Sequence, residues 1–233
     1  MLAVVADGMG GLAEGRAASS LAVRTLLKEY EAKTKRELVI EALARSAARA
    51  NQAVYEMAMK AGMEGNAGTT LAAAVVHQGN LCWLSAGDSR IYLFRDGELS
   101  RITVDHNYAL ELERDVANGK ISRDEAENNP ERNHLISFLG LRELIMTDSS
   151  RKPFPLRRND RILLCSDGLH GSLSDAEIAE ELNLPPQQAA ERLVQKVLRK
   201  GKRSQDNVTV LIAAFDPVAV KKQQPERMYW KSI

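Results

Sequence analysis

The sequence of 233 residues predicts an α+β fold, with antiparallel sheets and helices packed outside them. Three observations predict it. Apolar residues recur at helical spacing over 12–30 and again over 36–60, which gives two successive helices and one helical layer. Residues 67–103 then read as a strand meander, with the turn pairs Gly79-Asn80 and Asp96-Gly97 set between apolar runs. Strands that follow one another through tight turns pair antiparallel, not through crossovers.

The elements follow in order. The chain opens with an apolar run, 1–6, which stops at Asp7 and is followed by Gly8, Gly10 and Gly11. Such a run before a Gly-rich turn connects a strand to a helix. Strands are expected at 71–76, 81–85, 91–94 and 99–103. Asp105 is placed to cap a helix running to residue 116, with His106 in its solvated first turn. Residues 119–150 are irregular, contain Asn128-Asn129-Pro130, and have the length of a functional loop or lid. A strand at 161–166 ends at Asp167-Gly168. Helices are expected at 174–182, capped by Ser174, and at 186–199, then a last strand at 208–215. From Asp216 the chain turns polar, notably at 221–225, and is read as a linker or frayed end.

Composition narrows the class of function. A net charge of +1 offers no general attraction for nucleic acid. The two cysteines, Cys82 and Cys165, lie inside apolar strands and read as buried free thiols, with no disulfide framework. No run approaches the roughly 18 apolar residues of a membrane span, and the start lacks the features of a signal peptide. The expected location is the cytoplasm.

Four aspartates share one kind of position. Asp7, Asp88 and Asp167 each follow an apolar strand, and Asp206 precedes one. Gly8, Ser89 and Gly168 come directly after the first three, so other groups can approach closely. Carboxylates gathered together raise one another's pKa, and a cation relieves the conflict. A hard-oxygen set without Cys or His disfavours zinc and suits Mg2+ or Mn2+. Two such ions roughly 4 Å apart can hold a phosphate and generate hydroxide near neutral pH. Thr69 and Thr70 read as structural at a strand start. Arg90 reads as a surface or packing residue.

The stretches VVADGMGG (4–11), AGTTLAAAVV (67–76), LSAGDSRIYLFRDGELSRITVDHN (84–107), LLCSDGLHGSLSD (163–175) and QDNVTVLI (205–212) stand in a telling order. Together they resemble the metal-dependent protein phosphatases, the PPM or type 2C serine/threonine phosphatase family, in its bacterial form. The resemblance implies a sandwich of two antiparallel sheets flanked by helix pairs, with metals in a cleft at one end. It implies that Asp7 bridges two Mn2+ or Mg2+ ions, that Gly8 offers its carbonyl to one, and that Asp167 and Asp206 bind the other face of the pair. Asp88 is implied in a third, weaker ion site. The segment 120–150 corresponds to the family's flap, in which Asn133 is a candidate site residue. The implied reaction is hydrolysis of phosphoserine and phosphothreonine in proteins, those modified by a Ser/Thr kinase, by a hydroxide held between the two ions.

The resemblance departs at the start. The family carries an upstream segment with one strand for each sheet, an arginine that grips the substrate phosphate, and an acid that supports the metals. The expectation is a phosphatase domain over 1–215, N-terminally incomplete, with 216–233 as tail. No other arginine takes the phosphate role from sequence. Two functions stay open: a protein serine/threonine phosphatase, or a catalytically impaired phosphoprotein-binding or regulatory module on the same scaffold.

Overall fold

The computed structural model describes residues 1–201, 206–216 and the backbone of a strand at 228–232. Two antiparallel sheets face each other. The first has the order β1 (Leu2–Val5), β4 (Leu71–His77), β5 (Asn80–Ala86), β8 (Asp148–Ser149), and β9 (Phe154–Pro155) also pairs with β5. The second has the order β12 (Met228–Ser232), β11 (Thr209–Ala214), β10 (Arg161–Cys165), β6 (Arg90–Arg95), β7 (Glu98–Arg101). A short ribbon of β2 (Gly8–Met9) and β3 (Gly68–Thr69) closes the end where Asp7 lies.

Alternation along the strands sorts the core into three layers. Ala72, Ala74 and Val76 of β4 point between the sheets, where they meet Ile162 and Leu164 of β10. Leu71, Ala73 and Val75 point the other way, onto α1 (Leu12–Glu31) and α2 (Val39–Lys60) through Ala18, Leu26, Leu43 and Val54. Leu163 and Cys165 point out from the second sheet onto α5 (Asp167–His170), α6 (Asp175–Glu181) and α7 (Pro186–Lys200). Strands buried on both faces read as continuous apolar runs, which is the texture of β4 and β10. Each fully buried Leu or Ile in these layers contributes about 1.5–3 kcal/mol.

Local chemistry explains the boundaries. Ser174 caps α6 through the Glu177 amide at 3.3 Å, and Glu177 returns a bond to the Ser174 amide at 2.8 Å. Asp96 and Gly97 both have positive φ, 54° and 87°, as a two-residue hairpin turn requires. The neighbouring hairpin turns one residue earlier than the sequence predicts. Gln78 and Gly79 carry the positive φ values, and Asn80 begins β5.

Three expectations are corrected. Asp105 does not cap a helix. Its carboxylate accepts from Arg90 at 2.6 and 3.0 Å and from Arg101 at 2.9 Å, and α3 (Ala109–Ala117) starts after Tyr108. Charge-assisted pairing to two guanidiniums is stronger than a single cap bond. His106 is therefore no solvated helix start, and only 1% of it is exposed. The tail expected over 216–233 supplies β12, which pairs with β11 from Thr209↔Ser232 to Ala213↔Met228. The β-favouring run MYW meets a strand edge that would otherwise be open. Residues 221–225 lie outside the described residues.

The segment 119–150 holds α4 (Arg123–Glu127) and, at its end, the short strand β8, and otherwise runs as turns and irregular chain. Isolated bridges join Thr69 to Leu139 and Asn107 to Leu135, which pins its return to the sandwich. No helix among the described residues is long and apolar enough to cross a membrane.

Candidate metal centre

Asp7 leaves β1 with its main chain held on both sides. Its amide donates to Thr70 Oγ1 at 2.9 Å, and its carbonyl accepts from the Thr70 amide at 2.8 Å and Thr69 Oγ1 at 2.9 Å. The buried threonines thus have the structural role expected of them, and only the carboxylate is left to act. Gly8 follows because nothing larger fits. A Cβ there would lie 1.9 Å from the Gly15 carbonyl oxygen of α1. Gly10 and Gly11, at φ 106° and 100°, carry the chain into that helix.

The same device recurs at the second acid. Asp167 begins α5 directly after β10, and a Cβ on Gly168 would lie 2.2 Å from the Asn207 carbonyl oxygen. That contact draws the Asp167 strand end against the segment carrying Asp206. Asp206 Oδ1 accepts from the Asn207 amide at 2.8 Å. Asp88 sits half-buried in the turn between β5 and β6.

The electrostatics report the gathering. Burial pushes the Asp7 carboxyl up to about 8, helped by the charge of Asp167, a hydrogen bond to it, and the charges of Asp206 and Asp88. Asp88 is pushed up to about 7 by burial, then by Asp167 and Asp105 against the pull of Arg90. Asp7 therefore feels the other three acids, and the four come from separate points in the chain. Asp167 Oδ1 is buried with no hydrogen-bond donor placed on it. A proton on Asp7, or a cation, would supply the missing partner.

This donor set fits hard divalent ions: carboxylate oxygens with a buried, unpartnered lone pair, and no thiolate or imidazole among them. Among the described residues, no three acidic, His or Cys side chains stand ready as a closed cage for one ion. Asp7 and Asp206 instead line an open cleft, and ions would have to draw the acids together.

Asn133 is not brought into this group. It is exposed on a turn, and no hydrogen bond among the described residues ties it to the acids. Arg90 is held by Asp105 and donates to Tyr92 Oη at 3.0 Å, which matches the packing role read for it. Both cysteines are buried and free, and burial pushes the Cys165 thiol up to about 12, which leaves little thiolate.

Sequence reasoning missed three groups. A cavity of about 480 Å³ opens beside Asp7 and Asp206, and Arg16 of α1 is the cation that lines it among the described residues. Gly15 supplies the backbone contact that seats Gly8. His170 reaches the Asp88 carbonyl. The available signal was register: Gly15 and Arg16 fall one helical turn after the Gly-rich turn.

The protein phosphatase 2C family model matches residues 1–206. The serine/threonine protein phosphatase PstP of Mycobacterium tuberculosis is 37% identical over 213 residues, 91% of this chain and 40% of that protein. This chain thus spans well under half the length of that relative. The serine/threonine phosphatase stp of Listeria monocytogenes is 34% identical over 220 residues, 92% of this chain and 84% of that one. The crystal structure of a PstP catalytic domain in complex with two manganese ions superposes with a TM-score of 0.73 at 35% identity, covering 92% of this chain and 88% of that one. With the layered sandwich and the four gathered aspartates, these likenesses show that the chain belongs to the protein phosphatase 2C family.

Proposed function

We propose that this chain is a divalent-metal-dependent protein serine/threonine phosphatase. The observation that carries the reading is the mutual field of Asp7, Asp88, Asp167 and Asp206 at one end of the sandwich, with a buried carboxylate oxygen lacking a donor. The names of the relatives and the two manganese ions of the PstP domain support it.

Asp7, Asp167 and Asp206 would hold two Mn2+ or Mg2+ ions, with Asp88 at a third, weaker position and the Gly8 carbonyl as a further oxygen. Bound there, such ions supply Lewis acidity, which acidifies an attacking water and offsets charge on the phosphoryl oxygens. The chain's own residues do the rest. The Thr69 and Thr70 bonds fix the Asp7 backbone, so that its carboxylate is pre-oriented. Arg16, on the wall of the same cleft, draws a dianionic phosphate toward acids that alone would repel it. Phosphorylated proteins, the products of serine/threonine kinases, are the substrates this arrangement suits.

The test is hydrolysis of a phosphothreonine peptide with Mn2+, and with EDTA. Activity that needs Mn2+ and falls more than about 100-fold in Asp167→Asn supports the reading, since losing a direct ligand should exceed the 10–100-fold cost of an outer partner. Equal rates with EDTA, or binding without turnover, would sink it. The latter result would favour a phosphoprotein-binding module.

A further inference from the structure

Two histidines outside the acid set converge on the one peptide segment that carries Asp88. His106 is buried, and its Nδ1 accepts from the Gly87 amide at 3.2 Å. Its own amide donates to the Gly87 carbonyl at 2.9 Å, so Gly87 is gripped at both of its polar atoms. The His106 carbonyl in turn accepts from the Ile136 and Ser137 amides at 3.0 and 3.4 Å, at the end of the 119–150 segment. From the other side, His170 Nε2 lies 3.0 Å from the Asp88 carbonyl oxygen. A carbonyl can only accept, so that ring nitrogen carries a hydrogen and donates. His170 is the last residue of α5, whose first residue is Asp167.

Gly87 leaves little slack for the segment to find another path. Its φ is 95°, and a Cβ there would lie 2.8 Å from Thr70 Cγ2. Thr70 Oγ1 bonds Ser89 Oγ at 2.7 Å and also accepts the Asp7 amide. The Asp88 turn is thus fastened to the Asp7 strand, to the Asp167 helix and to the return of the long segment.

We propose that His106 and His170 are positioning residues for Asp88, clamping its peptide segment so that its carboxylate stands at a fixed place relative to Asp167. The proposal rests on the phosphatase reading for the use of that carboxylate, while the clamp itself is a statement about hydrogen bonds. Neither imidazole lines the cleft beside Asp7 and Asp206. They act by holding the acid through the peptide segment that carries it.

The experiment uses the whole chain and two readouts: calorimetric titration with MnCl2, and hydrogen exchange at the Gly87 amide in the absence of metal. His106→Ala and His170→Ala remove the bonds. His106→Asn keeps an acceptor near the Nδ1 position, and His170→Gln keeps a donor near Nε2. In both alanine variants the weakest Mn2+ binding step should loosen about tenfold with the tighter steps kept, and the Asn and Gln variants should recover most of it. Gly87 should exchange about tenfold faster in His106→Ala and return toward the native rate in His106→Asn, as loss of one bond of about 1.4 kcal/mol implies. In an Asp88→Asn background, His170→Ala should no longer change Mn2+ binding. Alanine variants that leave the weak step and Gly87 exchange untouched overturn the clamp. So does equal loosening of every step, or no recovery with Asn and Gln. An unaltered chain that binds no Mn2+ overturns the functional reading, and with it any role of the clamp in ion binding. That result is distinct from intact binding with an indifferent clamp.

Discussion

Asp7 sits in an electrostatic conflict set by its neighbours, and the conflict fixes a pH dependence. In the folded chain it keeps its proton to about pH 8, whereas the unfolded chain loses it near the ordinary value of 3.8. Between those values the folded state binds more protons than the unfolded one. Stability contributed by this group is therefore full below about pH 4 and is lost as pH rises through about 8. Urea unfolding in EDTA should give lower stability at pH 8 than at pH 5.5, and Asp7→Asn should flatten that slope. Mn2+ should stabilise more at pH 8 than at pH 6, because ions compete with protons for the same oxygens. A slope unchanged in Asp7→Asn would refute the assignment. Arg16 carries a milder expectation. It is exposed, so water screens its field, and Arg16→Ala should raise KM for a phosphopeptide about three- to tenfold with kcat nearly kept, as loss of a screened contact of about 1 kcal/mol implies. A loss confined to kcat would contradict it.

At the scale of elements, glycines decide how closely acids approach. Gly15→Ala should gain about 1 kcal/mol of helix propensity in α1. The new Cβ would sit 2.7 Å from the Gly8 carbonyl oxygen, where backbone faces backbone and neither side yields easily. Overpacking of that kind costs about 1–3 kcal/mol, so the net change should be destabilising and should also weaken Mn2+ binding. Gly168→Ala should be worse, with a 2.2 Å contact to the Asn207 carbonyl. Thermal melting with and without Mn2+ reads both. A more stable Gly15→Ala protein would show that α1 shifts away at little cost. None of this was visible as pairing in the sequence. The strands and helices were, because apolar periodicity is local. The partner of each glycine lies on another element and has no local signature.

For the molecule as a whole, the two sheets and their helical layers form one layered structure, so damage in the middle should be felt throughout. Leu164 is fully buried between the sheets, and Leu164→Ala should cost about 2–5 kcal/mol in chemical unfolding while leaving the acids in place. A loss below about 1 kcal/mol would mean that the inter-sheet layer collapses readily around the gap. The edges are less predictable from sequence. Asp105 looks like a helix cap until Arg90 and Arg101 are seen beside it, and residues 228–232 look like tail until β11 presents its edge. In both cases a long-range partner overrides a local preference.

The α+β class, the order of the longer strands and helices, and the four aspartates at strand ends were legible in the sequence, because burial and turns are written in residues close together. Only the tertiary structure decided that these acids share one field, that Arg16 lines their cleft, and that His106 and His170 grip the turn holding Asp88. The physical reason is reach. A carboxylate's pKa and a histidine's role depend on groups within a few ångströms, and here those groups come from separate elements, as far apart in the chain as Asp7 and Asp206.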